Sequence, residues 1–135
     1  MPGGTILVVD DSAASRELVV DLLTASGYVV REAEDGEGLL ERVKRERSAL
    51  ILLDLQLPGM DGFTLARRLK ADPETQGIPI LAVSAYALPE DQARALAAGC
   101  DGYLAKPVNI RELTETVAHM LRCNRSSSGG RAASA

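Results

Sequence analysis

Short apolar runs alternate with amphipathic stretches along almost the whole chain, and this alternation restricts the fold more than any other feature. Five runs rich in Val, Ile and Leu are predicted to be strands: Thr5–Asp10, Tyr28–Ala33, Ala49–Asp54, Ile78–Ser84 and Gly102–Ala105. Their nearly continuous apolar character is typical of strands that are buried on both faces. The sequence therefore predicts an α/β fold with a parallel sheet.

The stretches that follow the strands carry apolar residues at helical spacing. Leu18 and Leu22 lie four residues apart, as do Leu39 and Val43, and one face of the last stretch carries Leu113, Val117, Met120 and Leu121. Residues that end or cap helices agree with this division: Gly27, Gly99 and Asp72-Pro73 are predicted to end helices one, four and three, and Asn109 with Glu112 to cap the fifth. Five helices are expected to follow five strands.

Short connections joined by right-handed crossovers lead to a doubly wound sheet, most simply in the strand order 2-1-3-4-5 with helices on both faces. Residues 1–123 are predicted to form one domain. Residues 124–135 contain almost no apolar side chains and are predicted to be a flexible C-terminal tail.

The composition excludes several classes of function. The net charge of −4 argues against binding to a nucleic acid backbone or to an anionic membrane. The two cysteines, Cys100 and Cys123, lack metal-ligand spacing and are interpreted as reduced thiols. The first apolar run soon meets two acids, so it fits neither an export signal nor a membrane span, and a cytoplasmic location is expected.

Residues capable of chemistry follow four of the five predicted strands. Asp10 and Asp11 end the first strand, Asp54 the third and Ser84 the fourth, while Lys106 follows the fifth. In a doubly wound fold the ligand crevice lies outside the carboxyl ends of the strands. Each residue alone fits an ordinary turn former or a solvated loop residue, but the fold is expected to gather all five at one edge.

Three acids, a lysine and a hydroxyl predict a site for a divalent cation and a phosphoryl group. Two carboxylates about 4 Å apart repel each other by about 4 kcal/mol at an effective dielectric of 20, so a close cluster favours a bound cation. Ligation by oxygen alone favours Mg²⁺. Asp54 is then the expected nucleophile, carrying an acyl phosphate, while Lys106 and Ser84 hold the phosphoryl oxygens.

Four segments resemble, in order and spacing, the receiver domain of two-component response regulators: "ILVVDDS", "LLDLQLPGMDG", "ILAVSAYA" and "GYLAKPV". The resemblance covers the chain from about residue 4 to residue 122. It implies a flavodoxin-like (βα)5 fold and a single-domain, CheY-like regulator of a two-component or phosphorelay system.

The resemblance also implies a role for each site residue. Asp54 would accept a phosphoryl group from a sensor histidine kinase or a histidine phosphotransfer protein. Asp11, Asp54 and the backbone carbonyl of Gln56 would ligate Mg²⁺, and Asp10 would mostly hold a metal-bound water. Lys106 would pair with the phosphoryl group, with a cis peptide bond to Pro107.

A further set of residues is implied to transmit the signal. Ser84 stands where the family more often has threonine, and Tyr103 matches the switch aromatic. Gln56 and Tyr86 occupy positions from which the family screens the phosphoryl group from water. A downstream target protein would dock on the face formed by the fourth helix, fifth strand and fifth helix. His119 is interpreted as a surface residue of the last helix rather than a phosphodonor.

Three alternatives remain open at the level of the sequence. The first is a metal-dependent phosphatase with an aspartyl nucleophile, although such enzymes usually place a second acid where this chain has Gln56. The second is an interaction module that works without phosphorylation, which the complete set of site residues disfavours. The third is a receiver domain taken from a hybrid histidine kinase. A receiver would promote its own phosphorylation and dephosphorylation and would not be a turnover enzyme.

Overall fold

The computed structural model describes residues 5–36, 38–56, 61–85 and 88–134, with side chains up to residue 122. Within these residues strands and helices alternate strictly. The elements are β1 (Thr5–Val9), α1 (Ala13–Ala25), β2 (Val29–Ala33), α2 (Leu39–Glu46), β3 (Leu50–Asp54), α3 (Gly62–Ala71), β4 (Ile80–Ser84), α4 (Pro89–Ala97), β5 (Gly102–Ala105) and α5 (Ile110–Ser134).

The strands form one parallel sheet in the order β2-β1-β3-β4-β5, which confirms the predicted topology. β3 lies in the centre, with β1 on one side and β4 on the other. The register pairs Val9 with Leu53 and Asp54 with Val83, so the carboxyl ends of these three strands lie side by side. Any polar residue that follows β1, β3 or β4 therefore reaches the same edge of the sheet.

The helices cover both faces of the sheet, as predicted. Alternate residues of β1 point to opposite faces: Leu7 and Val9 belong to one core cluster, and Ile6 and Val8 belong to the other. Helices α2, α3 and α4 contribute to the first cluster, and α1 and α5 contribute to the second. Because both faces are apolar, the backbone of β1, β3 and β4 is fixed between two packed layers.

Two details of the predicted packing were wrong. β2 is not buried on both faces: it forms an edge of the sheet, and Val29 keeps 49% of its surface exposed. In α1 the buried face carries Val19 and Leu23, whereas Leu18 is 47% exposed. The buried face of α1 is thus shifted by one residue from the predicted face, which carried Leu18 and Leu22.

The predicted helix ends are confirmed. Gly27 and Gly99 follow α1 and α4 with φ angles of +98° and +104°, a region that residues with a Cβ rarely adopt. Asp72 ends α3, and the Asn109 side chain accepts a hydrogen bond of 3.0 Å from the Glu112 backbone N–H at the start of α5. These residues therefore set where the chain turns between layers.

The backbone of α5 continues as helix to Ser134. The domain boundary at residue 123 and the flexibility of residues 124–135 stay predictions. Cys100 is buried with a free thiol, and burial raises its pKa to about 11, which makes it a poor nucleophile. The side chain of Cys123 and the whole of Tyr86 lie outside the described residues. None of the helices described is long and apolar enough to cross a membrane.

Candidate functional site

The structure places the residues predicted for the site at the carboxyl edge of the sheet. Asp10 and Asp11 directly follow β1, Asp54 and Ser84 end β3 and β4, and Lys106 directly follows β5. One carboxylate oxygen from each of Asp10, Asp11 and Asp54 lies within 4.8 Å of the other two. Asp10 and Asp54 are buried, whereas Asp11 is exposed. The acidic cluster therefore has a buried floor and an opening to solvent at Asp11.

The two buried carboxylates are oriented by the same local arrangement. The Ser12 backbone N–H donates to Asp10 Oδ1 at 2.9 Å, and the Gln56 backbone N–H donates to Asp54 Oδ1 at 2.9 Å. In each case the donor lies two residues after the aspartate, which is the geometry of an Asx turn. One oxygen of each carboxylate is thus held by the chain that follows its strand.

Lys106 contacts the second oxygen of both buried carboxylates. Its Nζ lies 3.2 Å from Asp10 Oδ2 and 3.1 Å from Asp54 Oδ2. The backbone N–H of Lys106 donates to the Ser84 carbonyl at 2.8 Å, and the peptide bond between Lys106 and Pro107 is cis, as predicted. The lysine ammonium therefore bridges the acids that follow β1 and end β3. Its backbone, directly after β5, is held to the end of β4 by the hydrogen bond to Ser84.

The electrostatics of the cluster favour added positive charge. Burial raises the pKa of Asp54, and the charge of Asp10 adds to the rise, against the lowering by hydrogen bonds from the Gln56 N–H and Lys106. Burial alone would lower the pKa of Lys106, but its hydrogen bond to Asp54 and the charges of Asp54 and Asp10 outweigh that effect and raise it. The ammonium stays protonated while the Asp54 carboxylate remains incompletely compensated.

The donor set fits a small divalent cation. Mg²⁺ prefers oxygen ligands at about 2.0–2.1 Å in an octahedron, so opposite ligands stand about 4.2 Å apart. The three carboxylate oxygens lie within 4.8 Å of one another, so they can surround one ion, either directly after the side chains move closer together or with a water between one of them and the ion. The exposed side at Asp11 leaves room for waters and for oxygen atoms of a substrate.

The Gln56 side chain joins the end of β3 to the end of β4, a contact that sequence reasoning did not predict. Its Oε1 accepts a hydrogen bond of 2.9 Å from the Ala85 backbone N–H and one of 3.4 Å from the Ser84 hydroxyl. Because a backbone N–H can only donate, the atom that faces it must be the amide oxygen. The Ser84 side chain is buried at the same place.

Arg16 is a second residue that sequence reasoning missed. Its Nη1 donates to the Asp10 carbonyl at 2.7 Å, and its Nε donates to Glu32 Oε1 at 2.9 Å. The guanidinium therefore ties the turn after β1 to the end of β2. The only sequence signal was its place in the first turns of the helix that follows the two acids, which an ordinary surface arginine shares.

Ser84, one of the residues predicted to transmit the signal, lies at the carboxyl edge with the site residues, whereas Tyr103 lies further back in β5. Tyr103 is the second residue of β5, half-buried, and packs against the core cluster on the α2, α3 and α4 face. Leu88 and Leu96 of the α4 region and Ile110 at the start of α5 each keep more than half of their surface exposed. His119 is exposed on α5, as predicted.

Comparison with known proteins gives a match over most of the chain. Residues 6–118 match the family model of the response regulator receiver domain. The polar-differentiation response regulator DivK of Brucella anthropi is 34% identical over 113 residues, which are 84% of this chain and 92% of DivK.

Two further similarities concern longer proteins. A gliding motility regulatory protein of Myxococcus xanthus is 46% identical over 101 residues, which are 75% of this chain but only 13% of that relative. The receiver domain of a sensor histidine kinase from Pseudomonas aeruginosa has a magnesium ion coordinated in its active site cleft. It matches with a TM-score of 0.81 and 33% identity, covering 88% of this chain and 98% of that domain.

Proposed function

This chain belongs to the response regulator receiver domain family of two-component signalling, and from that premise we propose that Asp54 is the residue that accepts the phosphoryl group. The observation that carries the proposal is the position of Asp54 at the end of the central strand. Asp10 and Asp11 lie on its β1 side, Ser84 lies on its β4 side, and Lys106 contacts it directly. Asp54 is therefore the acid with site residues on both sides.

The proposed reaction is a transfer from a phosphohistidine. A carboxylate oxygen of Asp54 forms a bond to phosphorus, the bond between phosphorus and the donor imidazole breaks, and its electron pair returns to the ring nitrogen. The product is an acyl phosphate on Asp54. Lys106, now 3.1 Å from Asp54 Oδ2, would pair with a phosphoryl oxygen, and the Ser84 hydroxyl would hold another.

Asp11, Asp54 and the backbone carbonyl of Gln56 are proposed to hold Mg²⁺, with Asp10 holding a water bound to it. When bound, the ion neutralises charge on the carboxylates and on the phosphoryl oxygens. The magnesium ion coordinated in the active site cleft of the similar receiver domain from Pseudomonas aeruginosa supports this part of the proposal. The chain's own contribution is to keep the three carboxylates together before the ion arrives.

Phosphorylation with acetyl phosphate in Mg²⁺ tests the proposal. Intact-mass measurement should show a single added phosphoryl group in the wild type and none in Asp54→Asn. Asp61→Asn is a matched control, because Asp61 caps the start of α3, outside the acidic cluster. It should be phosphorylated like the wild type. Undiminished phosphorylation of Asp54→Asn would reject the assignment.

We also propose that the phosphoryl group pulls Ser84 inward and lets Tyr103 rotate toward the vacated space. This would change the face formed by α4, β5 and α5, on which a downstream target protein is proposed to dock. Such a switch shifts a population between existing states. NMR spectra with and without beryllofluoride should show shifts on this face, and shifts confined to the loops around Asp10 and Asp54 would contradict the switch.

The phosphodonor is proposed to be a sensor histidine kinase or a histidine phosphotransfer protein, and the cytoplasmic location expected from the sequence stays part of the proposal. Receiver domains are signalling domains. The finer prediction that this chain is no turnover enzyme is tested with a chromogenic phosphate monoester. Fewer than one turnover per site is expected, because no acid stands two residues after Asp54 to protonate a leaving group. Many turnovers would indicate a phosphatase.

A further inference from the structure

The end of β4 presents two hydrogen-bond donors that converge on one oxygen atom. The Ala85 backbone N–H and the Ser84 hydroxyl both point to Oε1 of Gln56, at 2.9 Å and 3.4 Å. Gln56 itself is anchored next to Asp54, because its backbone N–H donates to Asp54 Oδ1 at 2.9 Å. The shared oxygen therefore belongs to a residue that is held at the acceptor carboxylate.

The same two donors are well placed for an oxygen bound to Asp54. The register pairs Asp54 with Val83, so Ser84 and Ala85 are the next residues of the neighbouring strand end. A phosphoryl oxygen carries more negative charge than an amide oxygen and forms stronger hydrogen bonds with such donors. Because one N–H can point to only one strong acceptor, the amide oxygen and the phosphoryl oxygen compete.

We propose that Gln56 acts as an internal competitor, its side-chain carbonyl occupying in the resting protein the place between Ser84 and Ala85 that an oxygen of the phosphorylated Asp54 takes. Gln56 is thus a positioning residue, which holds the end of β4 in its resting arrangement and must release it on phosphorylation. This inference rests on the proposed function of Asp54. It assigns to the Gln56 side chain a task separate from that of its backbone carbonyl.

The competition has a measurable cost. Each phosphorylation must break the hydrogen bonds that Gln56 makes with Ser84 and Ala85 before the donors can turn to the new group. A hydrogen bond exchanged in this way contributes about 1 kcal/mol net, which corresponds to about a fivefold change in an equilibrium constant. Removing the amide oxygen should therefore favour the phosphorylated arrangement by that factor.

The test uses beryllofluoride, whose fluorides stand in for phosphoryl oxygens and which binds without subsequent hydrolysis. The dissociation constant is measured with Mg²⁺ by titration for wild type, Gln56→Met and Gln56→Ala. Methionine keeps the length of the side chain without its hydrogen-bonding groups, and alanine removes the side chain beyond Cβ. Both variants should bind beryllofluoride about fivefold more tightly than the wild type. Gln76→Met, at an exposed glutamine after α3, is the matched control and should bind like the wild type.

Amide hydrogen exchange at Ala85 in the resting protein supplies a second readout. The Ala85 amide should be protected in wild type and in Gln76→Met, and it should exchange faster in both Gln56 variants. Faster exchange together with tighter binding supports the competition. Unchanged or weaker binding by both Gln56 variants would overturn the inference while leaving Asp54 as the acceptor. Failure of the wild type to bind beryllofluoride at all would instead reject the proposed function.

Discussion

Lys106 Nζ lies 3.1 Å from Asp54 Oδ2 although 52 positions separate the two residues in the chain. The same ammonium lies 3.2 Å from Asp10 Oδ2. In the metal-free protein the lysine therefore supplies the positive charge that the two buried carboxylates need. Lys106 therefore has two roles. It is proposed to pair with the phosphoryl group, and in the resting protein it stabilises the fold. Its positive charge also repels an incoming cation.

The first prediction separates those tasks with Lys106→Met. Without the ammonium, the repulsion between Asp10 and Asp54 is uncompensated, so the free energy of unfolding in chelator should fall by about 1–3 kcal/mol. The affinity for Mg²⁺ should rise about tenfold, because the ion no longer meets a like charge. Denaturation and metal titration measure the two effects.

Lys70→Met is the control for this variant, because Lys70 pairs with Asp101, outside the acidic cluster. It should lower stability but leave the Mg²⁺ affinity as in the wild type. Equal Mg²⁺ affinity in Lys106→Met and wild type would show that the lysine does not oppose the cation.

The second prediction concerns Asp54→Asn, measured by thermal melts with chelator and with Mg²⁺. The folded state raises the pKa of Asp54, so its ionisation destabilises the fold at neutral pH. In chelator, Asp54→Asn should therefore have a higher melting temperature than the wild type. The increase should be about 3–5 °C for each kcal/mol of destabilisation that the ionised Asp54 causes. Adding Mg²⁺ should stabilise Asp54→Asn less than it stabilises the wild type. For the wild type the free energy of unfolding should rise by about 2.7 kcal/mol when Mg²⁺ is in hundredfold excess over its dissociation constant.

The difference in melting temperature between Asp54→Asn and the wild type should depend on pH, with a definite sign. An acid with a raised pKa costs stability as the pH rises through that pKa and costs nothing once it is protonated in both folded and unfolded states. The advantage of Asp54→Asn in chelator should thus be present at neutral pH and shrink as the pH falls toward the pKa of an exposed aspartate. Coincident melts of the two proteins at neutral pH in chelator would mean that Asp54 is an ordinary solvated acid.

The sequence predicted the sheet order and the strand-end placement because both depend on features that a single chain displays. Apolar runs mark the strands, and the acids that end them, such as Asp54, reach one edge of any parallel sheet. The face of α1 was predicted wrongly because the segment has apolar residues at adjacent positions, Leu18 with Val19 and Leu22 with Leu23. Two helical faces fit that pattern, and only packing selects one.

The contacts of Gln56 and Arg16 were not predictable for a different reason. Each depends on where a long, polar side chain ends after the backbone has folded, and neither residue type is specific for the partner it finds. Oε1 of Gln56 reaches a backbone N–H that is 29 positions away. The exposure of β2 was also missed, although the predicted strand order places β2 at an edge of the sheet, because the apolar character of the run was interpreted as burial on both faces.

The third prediction concerns Asp101, whose Oδ2 accepts hydrogen bonds of 2.9 Å from both the Ile80 backbone N–H and Lys70 Nζ. Asp101→Ala leaves both donors without this acceptor and should lower the free energy of unfolding by about 1–3 kcal/mol. Asp101→Asn keeps an acceptor for Ile80 and should lose less. Equilibrium denaturation gives the values.

Glu115→Ala is the control, because the Arg111–Glu115 pair on α5 is largely exposed and should contribute under about 0.5 kcal/mol. Asp101 precedes β5 and so lies at the opposite edge of the sheet from the acidic cluster. Its variants should therefore bind Mg²⁺ like the wild type. A weakened Mg²⁺ affinity in Asp101→Asn would contradict this separation of stability from the site.

The fourth prediction tests whether the backbone after Asp54 is held by close packing at Gly62. A Cβ at Gly62 would lie 2.5 Å from Leu55 Cα and 3.0 Å from the Leu55 carbonyl carbon and oxygen. The clash is with backbone, so no side-chain rotamer relieves it. Helix propensity alone favours alanine over glycine by about 1 kcal/mol, whereas forced overpacking costs about 1–3 kcal/mol. Gly62→Ala should therefore lower the free energy of unfolding.

The same substitution should also weaken the cation site, because a shift of Leu55 displaces the neighbouring Asp54. Gly77→Ala separates this effect from a general response to alanine: a Cβ there meets nothing within 4 Å, and its φ lies outside the positive region. That control should be neutral or gain about 0.4–1 kcal/mol, with unchanged Mg²⁺ affinity. Denaturation and Mg²⁺ titration of both variants decide the matter. If Gly62→Ala kept wild-type stability and affinity, the chain after β3 would have to move freely, and Asp54 would then owe its position to its hydrogen bonds with Gln56 and Lys106 rather than to the packing of α3.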